Sequence, residues 1–152
     1  MFFKIPRCYD SHLHLLATGQ VAETLNLSEL KSEDDIKNIL ISDRHFCGDW
    51  LLGFGWNQNS WKANEFPTVK TLDQYFPNHP VAFTRADGHA LWVNSVALRQ
   101  ANIQSSGVLI DDQMKPILKL IPAYSREQKK KFILSGIQIL NNAGFTHIRD
   151  MA

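Results

Sequence analysis

The sequence predicts an α/β fold on three observations. Runs rich in β-branched and aromatic residues alternate with segments that carry helix-start signals. No internal repeat, low-complexity tract or Pro/Gly-rich linker interrupts the alternation. The first and last strand-like segments differ in kind from the middle, as two strands of one barrel or sheet separated by a long excursion would.

Each element has its own warrant. Lys4 to Leu15 reads as a short strand running into a loop. Ser32-Glu-Asp-Asp35 has the form of a capping box and predicts a helix over Glu33 to Ile41. The compact apolar run WLLGF, Trp50 to Phe54, predicts a buried strand. GWNQNSW (55–61) is a loop dense in amides and indoles. Val69 to Tyr75 predicts a short helix stopped by Pro77. PVAFTRA (80–86) predicts a strand, and Leu91 to Gln100 a helix. Gly107 to Ile121 reads as two short strands about a hairpin turn at Asp111-Asp112-Gln113. Ser125-Arg-Glu-Gln128 is a second capping box. It opens the clearest helix, with Phe132, Ile133, Ile137, Leu140 and Ala143 near 3.6-residue spacing and Gly144 placed as its stop. Phe145 to Arg149 then predicts a strand ending at Asp150.

Composition limits the function classes. The chain has 152 residues, 44% apolar and 20% charged, enough for one domain with a core. The net charge is +1, and the only basic run, Lys129 to Lys131, lies on a helical segment as a solvated face. Nucleic acid and anionic membrane are therefore not expected partners. No apolar run reaches the ~18 residues that span a bilayer. The opening MFFKIPRCYD has no signal-peptide core, so a cytoplasmic location is expected. Cys8 and Cys47 form no CxxC; reduced thiols are expected, with a single long-range disulfide as the other state.

The stretch DSHLHL (10–15) bears the clearest chemistry. In a strand His12 and His14 face the same side, with Cα atoms ~6.6 Å apart at ~3.3 Å rise per residue. Imidazoles so placed can converge on one ion at ~2.0–2.1 Å each. Spacing alone leaves a second reading open, two half-exposed histidines bonded to neighbours. Asp10 could accept from a ligand histidine or cap a turn. Trp56 and Trp61 could line a pocket or fill a core. His147 reads as structural. Asp150 falls at a strand's C-terminal end, the side on which barrel active sites form. His45 and His79 receive no role.

Taken together, DSHLHL with Gly19 soon after, GWNQNSW (55–61), FPTVKTLDQYFPNHPVAFTRADGHALWVNSVAL (66–98) and AGFTHIRDM (143–151) resemble the amidohydrolase superfamily. The likeness is to its amidohydrolase-3-like metal-dependent hydrolases. DGHALWVNSVAL carries the most weight, and the resemblance runs from about Pro6 to Met151. It implies the N-terminal portion of a TIM-type (β/α)₈ barrel. Residues 1–16 would hold the first strand with its HxH, 17–122 an inserted α/β subdomain, and 123–152 a helix and the second strand. It implies that His12 and His14 are metal ligands, for a divalent metal with zinc first. It implies hydrolysis of amide-like C–N bonds in a small-molecule substrate, the metal polarising a carbonyl and acidifying a water. The loop residues Asp87 and His89 would then contact substrate or water; a loop histidine bonded to backbone is the other reading of His89.

Departures qualify the implication. IPRCYD stands where the family usually has a proline-glycine turn, and a TIM barrel takes ~250 residues. The family's remaining ligands come from later strands, so the chain is expected to be a catalytically incomplete segment, inactive alone. Exposed strand edges and an uncovered helix face would make it a homo-oligomer. The alternatives are a non-catalytic remnant that binds a small molecule or partner, and a metal-binding or structural module unrelated to hydrolysis.

Overall fold

A computed structural model describes residues 8–151, so the strand residues expected at 4–7 lie outside the described part. In chain order the strands are β1 (Cys8–Leu13), β2 (Leu25–Asn26), β3 (Phe46–Cys47), β4 (Trp50–Trp56), β5 (Val81–Arg85), β6 (Ala90–Val93), β7 (Val108–Ile110) and β8 (Phe145–Asp150). The helices are α1 (Leu15–Glu23), α2 (Val69–Tyr75), α3 (Ser95–Ala101), α4 (Lys115–Leu120) and α5 (Arg126–Asn142). Two units result: Met1–Glu23 with Tyr124–Ala152, and Thr24–Ala123. The boundaries drawn from the sequence were 16/17 and 122/123. The stretch 17–23 goes with the outer unit because it is helical and packs on α5.

In the outer unit β1 and β8 pair in parallel, Cys8 opposite Phe145 and Leu13 opposite Asp150. Parallel neighbours need a crossover, and α5 leads directly into β8. The Ser125 box forms as expected: Ser125 Oγ accepts from the Gln128 N–H at 3.2 Å, and Gln128 Oε1 accepts from the Ser125 N–H at 2.9 Å. Gly144, at φ +86°, turns the chain out of α5 through a conformation that glycine adopts without a Cβ clash. Helix α1 is not foreseen by the sequence reading. It crosses α5 so closely that a Cβ on Gly19 would lie 1.7 Å from the Phe132 carbonyl oxygen. Glu23 fastens the crossing, accepting from Ser135 Oγ and pairing with Lys131 Nζ at 2.7 Å.

The inner unit is a six-stranded mixed sheet, β2-β4-β5-β6-β7 with β3 on β4. Its central strands are apolar except at the end of β5, where Thr84 and Arg85 stand, and both faces are covered. Leu51, Val81, Phe83 and Trp92 belong to one core, with Trp56, Trp61 and Ile36; Trp50, Ala82, Leu91 and Val93 belong to the other, with Leu98, Leu109 and Ile117. Strand alternation thus sends neighbouring residues into separate cores. Trp56 and Trp61 are core residues, not pocket walls; the Trp56 indole N–H donates to the Phe83 carbonyl at 2.8 Å.

Three expectations are corrected here. The segment expected as a helix over 33–41 is a 3-10 turn, Glu33–Asn38. Only Ile36 of it is buried, so no apolar face exists to extend it. Residues 91–93 are strand, and the helix begins at Ser95. Asn94 makes the break: Oδ1 accepts from Val81 and Ala97 N–H at 3.1 and 3.0 Å, and Nδ2 donates to the Phe76 and His79 carbonyls at 2.9 and 2.8 Å. Residues 111–120 are a 3-10 turn followed by α4, not the second arm of a hairpin. Pro116 near the start of α4 pre-sets the helical φ where no N–H is needed. Among the described residues no disulfide forms; the Cys47 thiol donates to the Pro122 carbonyl at 3.2 Å, and burial pushes its pKa up. No helix among the described residues is long and apolar enough to cross a membrane.

Candidate metal centre

Because β1 and β8 are parallel, their C-terminal ends share one edge, and the polar residues of DSHLHL and IRD gather there. His12 is the fifth residue of β1 and His14 follows its end. Both are exposed, and their rings stand 5.6 Å apart between centroids, edge to face at 83°. The pairing register slips between Asp10 and Leu13, which face Ile148 and Asp150. Such a bulge re-aims side chains at a strand end. Asp10 fills the gap, its Oδ1 accepting from the His12 backbone N–H at 3.0 Å. The contact is to the backbone of His12, not to its ring.

The Asp150 carboxylate reaches the same edge and accepts from the Leu15 N–H at 3.1 Å. His147 lies deeper along β8, opposite Tyr9, with Nδ1 2.9 Å from Thr146 Oγ1. The donors at this edge suit a borderline ion such as zinc, which takes imidazole nitrogen. They number two: among the described residues no group of three or more His, Cys, Asp and Glu is placed to share an ion.

The other candidates belong to the inner unit. The turn Asp87-Gly88-His89 joins β5 to β6. Asp87 accepts from the His89 N–H at 3.0 Å and pairs with the Arg85 guanidinium. These two contacts, the amide first, hold its carboxyl below the usual carboxylate range. Arg85 also donates through Nε to Gln58 Oε1 at 2.9 Å. An open depression of about 390 Å³ lies beside this set, bounded by Asn57, Asn59, Arg85, Ala86 and Asp87. The His89 ring meets a different group. Its Nδ1 is 2.8 Å from Asp111 Oδ1, and Asp111 raises the imidazole pKa above its ordinary value. The sequence reading named Asp87 and His89 as candidates but not Arg85 or Asp111, which the structure places against them. The arginine was legible from RADGH, two residues before Asp87 on one strand end; Asp111 sits 22 positions beyond His89, and only the β6–β7 pairing brings it near.

Comparison with known proteins agrees with this architecture. The family model for the amidohydrolase family matches residues 5–152. YtcJ of Bacillus subtilis (strain 168), named as an amidohydrolase, is 31% identical over 97% of this chain and 32% of its own length. Protein LONG AFTER FAR-RED 3 of Arabidopsis thaliana is 25% identical over 97% of this chain and 28% of its own length. Among solved structures, an uncharacterized metal-dependent hydrolase from Pyrococcus furiosus superposes with a TM-score of 0.66 at 25% identity, covering 97% of this chain and 32% of that one. Its counterpart from Pyrococcus horikoshii gives 0.68 at 25% identity, covering 97% and 31%. The chain belongs to the amidohydrolase family. It spans about a third of the length of the curated relatives it matches.

Proposed function

We propose that this chain supplies His12 and His14 as the first two ligands of a divalent metal, zinc first, in a hydrolase of amide-like C–N bonds. Two imidazoles 5.6 Å apart at the C-terminal end of a parallel strand carry this reading. In parallel α/β architectures that end of the strands is where sites form. The parallel pairing of β1 and β8, with α5 leading into β8, supports their assignment as the first two strands of a TIM-type barrel interrupted by the inner unit.

A metal held there would polarise a substrate carbonyl and acidify a water. The chain's own residues do the rest. Asp10 holds the His12 backbone, and the exposed imidazoles face outward, ready to share an ion with further donors. A hydrolytic zinc site takes three protein ligands plus a water, so two imidazoles leave the chain inactive by itself. Asp87 and His89 belong to substrate contact in this reading. Asp111 holds one ring nitrogen of His89 and raises its pKa, which suits donation from the ring to a substrate oxygen.

Zinc titration of the 152-residue chain, followed through the histidine ring resonances, tests the proposal. We expect weak saturable binding, dissociation constant above micromolar, lost in His12→Ala and in His14→Ala and kept in His89→Ala. The zinc-loaded chain should hydrolyse no simple amide. If His89→Ala loses zinc as fully as His12→Ala, the division of roles is wrong.

A further inference from the structure

Resting on the metal reading of His12 and His14, we infer that Asp150 is a positioning residue for His14: its carboxylate caps α1 from the neighbouring strand and fixes the backbone that carries the imidazole.

Helix α1 starts at Leu15, directly after His14, and has no acidic residue in its first turn. The first amides of a helix lack intrahelical acceptors, and a side-chain oxygen just before the helix normally serves one of them. His14 occupies that place. Its carbonyl accepts from the Thr18 N–H at 2.9 Å and from Thr18 Oγ1 at 3.0 Å, the opening bonds of the helix. The cap comes from elsewhere. Asp150, 135 positions away, accepts from the Leu15 N–H at 3.1 Å. Beside it, the Met151 N–H donates to the Leu13 carbonyl at 2.8 Å. The Leu13 carbonyl, the His14 carbonyl and the Leu15 amide are thus all held, and little torsional freedom remains at the intervening Cα.

Asp10 does the matching work for its own strand, accepting from the His12 N–H. Each histidine of the pair therefore has an adjacent amide held by a carboxylate, and both carboxylates act on backbone. An acceptor oxygen is all the Leu15 amide requires. An asparagine at 150 provides one, and an alanine does not.

The test compares Asp150→Ala with Asp150→Asn in the 152-residue chain. Two quantities are read: the zinc affinity of the His12 and His14 ring resonances, and hydrogen exchange at the Leu15 amide. Circular dichroism of each variant establishes that it is folded. Asp150→Ala should weaken zinc binding about 10-fold, the usual effect of losing a support to a ligand, and should speed Leu15 exchange. Asp150→Asn should stay within about 2-fold of the parent in both, far less than such a loss. If Asp150→Asn loses zinc as fully as Asp150→Ala, the charge matters and Asp150 is itself a ligand, which overturns the proposal. Faster Leu15 exchange with unchanged zinc affinity in Asp150→Ala overturns it too. If the parent's rings do not respond to zinc at all, the metal reading has failed and the proposal falls with it. The parent and His12→Ala titrations separate that outcome from the other two.

Discussion

The two units are built to opposite standards. The inner one, Thr24–Ala123, covers its sheet on both faces and buries side chains as large as Trp56 and Trp92 completely. In the outer one, among the described residues, only Gly19, Phe132, Gly136 and Leu140 are buried. Leu134 is 58% exposed there, and Ile133, Ile137 and Ile139 are exposed beside it. Yet the outer unit holds the histidine pair. The candidate metal ligands therefore lie outside the better-packed unit. The stretch DGHALWVNSVAL, on which the sequence resemblance leaned most, lies in the well-packed unit, and much of it is scaffold. Asn94 is fully buried with four hydrogen bonds, and Ser95 Oγ donates to Asp73 at 2.6 Å.

Removing Asn94 should break the inner unit. Asn94→Ala strands the Val81 and Ala97 amides in the interior. At about 1–3 kcal/mol for each unsatisfied buried donor, the loss is about 2–6 kcal/mol. Urea unfolding monitored by tryptophan fluorescence reports on this unit directly, since Trp50, Trp56, Trp61 and Trp92 all lie within it. A loss below about 0.5 kcal/mol, the level of an ordinary surface change, would falsify the scaffold role.

The matching change in the outer unit is Gly19→Ala. The added methyl meets the Phe132 carbonyl oxygen, part of the α5 backbone, so α1 must move away. Overpacking of this kind costs about 1–3 kcal/mol. Hydrogen exchange should show α1, β1 and β8 deprotected while β4, β5 and β6 keep their protection. Uniform deprotection would mean that the units do not differ in stability as their packing implies.

What was legible in the sequence follows the same division. Several elements with local signals were read correctly: the Ser125 box, Gly144, the FTHIRD strand and the apolar runs at Trp50 and Val81; the Ser32 box formed but opened only a 3-10 turn. Elements decided by distant partners were missed. Helix α1 escaped because its cap, Asp150, is on another strand 135 positions away. KPILKL reads as strand by its apolar content, but Pro116 and the buried Ile117 make it a helix against the second core. At the candidate site, the HxH spacing singled out His12 and His14 but left two readings open, and the wider resemblance chose between them. The pairing of His89 with Asp111 was not legible, because it depends on strand register.

The exposed isoleucines and leucine of α5 set the next expectation. We propose that the chain self-associates through this face, since an exposed apolar stripe favours burial against another surface. Light scattering should give an average mass above 17.4 kDa that rises with concentration. Ile133→Lys with Leu134→Lys should return it toward the single-chain mass, with inner-unit exchange unchanged. A parent chain that stays monomeric over a wide concentration range contradicts this.

The smallest effect expected is electrostatic, at the Asp87–His89 turn of the inner unit. Asp111 lies 2.8 Å from His89 Nδ1 and raises that imidazole above its ordinary 6.5, first by hydrogen bonding and then by charge. A group whose folded pKa is raised contributes stability that is fully present below the unfolded value and fades as pH rises through the folded one. The His89–Asp111 contact should therefore help the fold fully below pH 6.5 and lose its effect as pH rises from there through the raised value. Both side chains are well exposed, 73% and 64%, so salt should weaken the interaction further. Asp87 runs the other way. Its lowered pKa makes its amide and Arg85 contacts favourable above its ordinary 3.8 and lost as pH falls below it. Asp111→Asn separates the two, because it removes the charge beside the His89 ring and leaves the Asp87 contacts in place. A proton NMR titration should find the His89 midpoint above 6.5 in the parent and lower in Asp111→Asn, while the acid limb set by Asp87 stays where it was. A His89 midpoint that does not move would mean that Asp111 is not the source of the shift, and the case for a protonated His89 facing substrate would lose its physical cause.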